Sequence, residues 1–203
     1  MAFKTMMVAA LAALPAVFAS PIELESRAGC KYNGGWQNFP SMNNWLPWTT
    51  VFGRYQQDMV NAGSTWDDVG RINVAISNAA ATIGVDERVI LAIILQESHG
   101  YVGVQCTGNN DCGLMQCEGC PSFQGRNGLP QSDTSAMING GTQHFKGNLE
   151  NWGNQWAESS IYPALREYNS GSVNPNDLST AAGGFGVPCY VADVAGRMLG
   201  DVF

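Results

Sequence analysis

The chain has 203 residues, of which 45% are hydrophobic and 13% charged, and its formal net charge is −7. That length and apolar content suit one compact domain with a core of its own. The negative charge argues against nucleic acids and anionic membranes as partners, because long-range repulsion opposes the encounter.

In chain order, Lys4 precedes an apolar run from Met6 to Phe18 that is too short to span a bilayer. Val17-Phe18-Ala19 fits a small-x-small cleavage site, so residues 1–19 are expected to be a signal peptide for export. Ser20 to Arg27 reads as a short pro-segment trimmed after Arg27 or as a plain N-terminal tail. Residues 28–203 form the expected single domain. Losing the signal removes only Lys4 and leaves the exported, extracellular chain one unit more negative.

Six cysteines in an exported chain are expected to form three disulfides. Cys106, Cys112, Cys117 and Cys120 crowd into fifteen residues, and Cys30 and Cys189 are the natural leftover pair, tying the N-terminal segment to the last helix. The rival reading is a zinc site made by the four clustered thiolates. Secretion and the unfamiliar C-x5-C-x4-C-x2-C spacing speak against it. With only His99 and His144 in the chain, a histidine-based metal site or catalytic triad is not expected, nor is a cofactor.

Residues 30–47, rich in Asn, Gly, Pro and aromatics, read as an ordered loop. A helix is predicted from Trp48 to Ala62, ending at Gly63. Thr65 or Asp67 caps the next, whose residues Ile72, Ala75, Ile76, Ala79, Ala80 and Ile83 make a helical stripe up to Gly84. Asp86 then reads as an N-cap with Glu87 in the favourable first turn. The run Val89 to Leu95 is apolar on every face, so this helix is expected at the buried centre of the domain. Residues 99–130 read as cysteine-stapled loops with a small β-hairpin. Ser132 or Asp133 is expected to cap a helix to about Asn151, and Ser159 or Ser160 a shorter one ending at Asn169-Ser170-Gly171. After a Gly/Asn/Pro-rich loop over 170–188, Tyr190 to Leu199 is a final amphipathic helix with Val191, Val194, Ala195 and Met198 inward, stopped by Gly200. The fold class is therefore mainly α: a buried central helix, surrounding helices and a small stapled hairpin region.

Glu97 lies at the C-terminal end of the all-apolar helix. Burial and the negative end of the helix dipole both disfavour its charged form and raise its pKa, as a general acid near neutral pH requires. The plainer alternative is a Glu that turns outward where the helix surfaces. Four blocks bear on this. Leu91-Ala92-Ile93-Ile94-Leu95-Gln96-Glu97-Ser98-His99-Gly100 is followed, sixteen residues after Glu97, by Gly113-Leu114-Met115-Gln116. Then come Ala164-Leu165-Arg166-Glu167-Tyr168-Asn169-Ser170-Gly171 and Tyr190-Val191-Ala192-Asp193-Val194. In this order they resemble the catalytic helix end, the G-L-M-Q block, the A-x-x-A-Y-N-A-G segment and the start of the last helix in goose-type lysozymes and soluble lytic transglycosylases. The resemblance covers roughly residues 72–199 and leaves the first 65 largely outside. The cysteine cluster around G-L-M-Q departs from it.

The resemblance implies a lysozyme-like fold and a glycosidase acting on β-1,4 bonds in N-acetylhexosamine polymers, with Glu97 as the acid. Peptidoglycan is the usual substrate of such proteins and chitin the runner-up. It implies substrate contacts at Gly113, Gln116, Tyr168, Asn169 and Tyr190. Gly113 can let the backbone approach a sugar or can simply turn the chain. Gln116 offers an amide to an N-acetyl group. Leu114 and Met115 read as packing beneath the cleft, His99 as structural and Asn169 as support for its turn. Lytic transglycosylases use one Glu and let the sugar's own 6-hydroxyl attack, whereas goose-type enzymes invert, using further acids to hold water. Glu118 stands at one of those acid positions, as Glu instead of Asp. At the other the neighbourhood holds Thr107, with Asp111 the nearest carboxylate but out of register; either acid could also be plain loop charge. Hydrolysis by a monomer acting on a polysaccharide is the expectation. A glycan-binding effector without activity is a second class, against which the intact Glu97 speaks. An unrelated disulfide-stapled structural protein is a third, against which the four ordered blocks speak.

Overall fold

A computed structural model describes residues 29–108 and 110–202. The expected signal peptide and pro-segment lie outside the described residues. The fold is mainly helical with one small hairpin. After two short 3-10 turns, Trp36–Asn38 and Met42–Asn44, come α1 (Trp48–Ala62), α2 (Trp66–Ile83) and α3 (Glu87–Ser98). The hairpin β1 (Asp111–Cys112) and β2 (Cys117–Glu118) follows, then α4 (Gln131–Asn151), α5 (Glu158–Ser170) and α6 (Tyr190–Met198).

Helix α3 is the centre. Asp86 caps it, its side chain accepting from the Arg88 N–H at 2.9 Å. Every residue from Val89 to Leu95 is buried, as an apolar run with no polar face requires. Helices α1, α2 and α6 wrap it, while α4 packs on α2 and α5. Each fully buried Val, Ile or Leu side chain in this run contributes about 1.5–3 kcal/mol, which makes α3 a firm base for whatever its last turn presents.

Helix α2 starts in a capping box. Thr65 Oγ1 accepts from the Asp68 N–H, and the Asp68 carboxylate accepts from the Thr65 N–H. That carboxylate is wholly buried and also accepts from Gly128 N at 2.7 Å and Leu129 N at 2.9 Å. Burial alone would raise its pKa, but the bonds from Gly128, Thr65 and Leu129 outweigh it and hold the carboxyl below its ordinary value. One acid thus fixes the loop that launches α4.

Two predicted helix starts are corrected. Pro130 rather than Ser132 or Asp133 stands at the N-cap of α4, its fixed φ of −63° setting the entry without a side-chain cap. Helix α5 begins at Glu158 after Ala157, ahead of Ser159 and Ser160. Glu158 turns back to accept from Ser41 Oγ at 3.0 Å and Met42 N at 2.9 Å, anchoring the N-terminal segment. Pro163 sits inside α5 and denies the carbonyl of Ser159, an exposed residue, its helical donor. The predicted stop of α6 at Leu199 holds within one residue.

All six cysteines are bridged, as Cys30–Cys189, Cys106–Cys112 and Cys117–Cys120. The four clustered thiols are therefore structural crosslinks and not zinc ligands. Among the described residues no helix is long and apolar enough to cross a membrane.

Candidate active site

The last turn of α3 meets the hairpin. Ser98 Oγ lies 2.8 Å from the Leu114 carbonyl and accepts from Gly100 N, which locks the end of the helix to the turn between β1 and β2. Leu114 and Met115 are fully buried beneath that turn. Tyr168 Oη donates to the Met115 carbonyl at 2.6 Å. Gln116 adopts a positive φ of 45° and spends its amide locally, donating Nε2 to the Gly113 carbonyl at 2.9 Å while Oε1 accepts from Thr107 Oγ1 at 2.9 Å. Gly113 is buried with φ 73°; a Cβ there would fall 2.5 Å from the Pro121 carbonyl. What Gly113 supplies is the turn and its close approach to Pro121.

Against this floor lies a cleft of about 290 Å³ lined by Glu97, Thr107, Asp111, Gln116, Cys117, Glu118, His144, Tyr168, Asn169 and Val187. Glu97, Asp111, Gln116, Glu118, Tyr168 and Asn169, separated by more than 70 residues in sequence, are thus brought together. Tyr190 completes the group from α6, donating its hydroxyl to Glu97 Oε1 at 2.6 Å. Leaving water pushes the Glu97 carboxyl from 4.5 up to about 7; the bond from Tyr190 pulls it down and the charge of Asp111 pushes it up further. Burial, reinforced by the nearby Glu97 charge, keeps the Tyr190 and Tyr168 phenols well above their usual value, so both remain donors.

Asp111 and Glu118 are cross-strand partners. Both backbone groups of Asp111 bond to Thr107, so the Asp111–Glu118 pair is of the kind without hydrogen bonds between the two residues, in which side chains stand closest. Two carboxylates thereby share one face of the hairpin at the cleft. Asp111, whose sequence register looked unfavourable, reaches the site because β1 folds back against β2. Among the described residues no group of three or more His, Cys, Asp or Glu is disposed to hold a metal ion.

Sequence reasoning passed over Arg166. It is fully buried on α5, its guanidinium 5.8 Å from the centre of the Tyr190 ring, and it donates to the Val187 carbonyl, to Ser170 Oγ and to Asn169 Oδ1. It had no visible signal, since none of its acceptors is a carboxylate. His144, whose ring meets Tyr168 edge-on at 5.1 Å, was also missed as a cleft residue. No protein-family model matches the chain.

An acid at about 7 facing two carboxylates can deliver a proton to a leaving oxygen while a second carboxylate orders water. The Tyr190 bond favours the charged form of Glu97, so Tyr190→Phe is expected to raise the Glu97 pKa. The alkaline limb of the pH–rate profile should then move to higher pH. An unmoved or acid-shifted limb would show that this bond does not set the proton affinity of Glu97.

Proposed function

We propose that the protein is a secreted, lysozyme-like glycoside hydrolase that cleaves β-1,4 bonds in N-acetylhexosamine polymers. One observation carries the reading: a carboxyl that holds its proton to about pH 7 opens on a cleft bearing two further carboxylates. Glu97 gives its proton to the glycosidic oxygen. As the C1–oxygen bond breaks, a water attacks C1 from the opposite face, and Glu118 or Asp111 takes the proton that water loses. The products are a new reducing end and a free alcohol, with one water consumed.

The resemblance to goose-type lysozymes makes peptidoglycan the first substrate. Chitin is the second, favoured by charge: bacterial walls are anionic and an acidic protein gains no attraction to them, whereas chitin is neutral. Export is supported by the signal-like N-terminal run and by the full pairing of the cysteines. The test is to incubate the protein separately with peptidoglycan and with chitin oligomers and weigh the products. Hydrolysed fragments from either polymer are expected, and no cleavage of either would end the reading.

The same masses decide the route, because an anhydro product is lighter by one water. Glu118→Gln is expected to slow hydrolysis strongly if Glu118 holds the nucleophilic water. Full hydrolysis by that variant, or mainly anhydro products from the parent, would remove Glu118 from this role and leave Asp111 or a transglycosylase route.

A further inference from the structure

In the loop before α6 an exposed aromatic stands two residues ahead of a residue of the cleft wall. Phe185 is 78% exposed and Val187, two residues on, is 49% exposed and forms part of the cleft wall. Lone exposed apolar residues are common and need no explanation. What sets this one apart is how firmly the backbone just after it is held. The Val187 N–H donates to Asn169 Oδ1 at 2.7 Å, and the Val187 carbonyl accepts from Arg166 Nη1 at 3.2 Å. Between the two apolar residues, Gly186 has φ 101° and packs so tightly that a Cβ would come within 2.7 Å of Asn169 Oδ1 and of Ser170 Cβ. Arg166 is fully buried to make this clamp, and burial lowers its pKa, the mark of a desolvated cation. The same guanidinium faces the ring of Tyr190, the donor to Glu97. A desolvated cation therefore joins the acid's hydrogen-bond partner to the loop that displays Phe185.

Resting on the glycan-cleaving function proposed above, we propose that Phe185 is a stacking platform for a pyranose ring of the bound polymer, one subsite along the cleft past Val187. A β-linked N-acetylhexosamine carries its substituents around the ring's equator and turns a face of C–H groups to each side. Such a face packs on an aromatic ring, burying apolar area from both partners. The carboxylates of Asp111 and Glu118 at the cleft repel a phosphate-bearing chain, so a neutral sugar is the ring that fits.

The test uses N-acetylglucosamine oligomers from trimer to hexamer and glycan strands from peptidoglycan stripped of peptide. Affinities are measured by titration calorimetry in the Glu97→Gln protein, with and without Phe185→Ala, so that cleavage is suppressed. Phe185→Ala should weaken the longer oligomers by roughly three- to tenfold, the scale of one aromatic contact. The loss should grow with oligomer length, and the unfolding temperature should not move because Phe185 is exposed. In the parent background the variant should raise KM on long substrates and leave kcat unchanged. Phe185→Trp should restore affinity and give a saturable change in fluorescence with the hexamer. Equal affinity of Phe185→Ala at every length, with the parent active, overturns the subsite and leaves the function standing. A parent that neither binds nor cleaves any of these glycans overturns the function and the subsite together.

Discussion

Glu97→Gln is expected to lose at least roughly a hundredfold in cleavage rate, the contribution of a positioned general acid, and to be more stable than the parent above neutral pH. Both effects have one source. The folded protein holds the Glu97 proton to about pH 7, against 4.5 for the free carboxyl. Between those values the folded state binds more protons than the unfolded one, so the parent loses stability as pH rises through this window. Above pH 7 the parent carries a desolvated charge that Gln lacks. The variant should then be more stable by on the order of 2–3 kcal/mol at pH 8, with no such difference near pH 4. Gln can still accept from Tyr190, so the packing is kept. Melting curves at the two pH values, beside product release from chitin oligomers and peptidoglycan, check both halves. Unchanged turnover would sink Glu97 as the acid; equal stability at pH 8 would mean that its carboxyl is better solvated than its position implies.

The second large effect lies far from the acid in sequence. Replacing Cys30 and Cys189 together by Ser opens a crosslink of sequence separation 159. Loop-closure entropy makes such a long bridge worth about 2–5 kcal/mol, a fall in melting temperature of roughly 5–15 °C for a domain of this size. The Cys117–Cys120 bridge closes a separation of only 3 and by the same relation should cost about 2 kcal/mol when removed. Cys189 is the N-cap of α6 and Tyr190 follows it, so the long bridge also steadies the hydrogen bond to Glu97. Scanning calorimetry of the two double variants gives the order directly. If the short bridge cost more, strain or local packing would govern these crosslinks instead of chain entropy.

How far the sequence revealed this follows from what each residue needs. Helix α3 was legible because seven consecutive apolar residues leave no polar face, and α2 because its stripe has the helical period. The setting of Glu97 was legible since both its burial and its place on the helix follow from that run. The starts of α4 and α5 were not, because Pro130 sets one entry by its ring alone and Glu158 takes partners more than a hundred residues away at Ser41 and Met42. The role of Asp68 was not legible, because Gly128 and Leu129, whose N–H groups hold its buried carboxylate, lie 60 and 61 residues further on. Arg166 stood inside a recognised block yet binds only carbonyl, hydroxyl and amide oxygens and a ring face, none of which sequence spacing advertises. Asp111 needed the hairpin register, which a two-residue strand cannot specify on its own.

The bridge from Cys30 to Cys189 and the contact of Lys31 with Asp201 bring the two ends of the described chain together. The described part of the chain, from Cys30 to Cys189, is closed by this bridge, and a chain so closed survives one cut. The exposed bend after α4, at Gly153 to Gln155, is open to a protease. A break between Asn154 and Gln155 leaves two pieces, one holding Glu97 and the hairpin and the other Arg166, Phe185 and Tyr190. Cys30 belongs to the first and Cys189 to the second, so the halves of the cleft stay tethered, and their reassembly is intramolecular and independent of dilution.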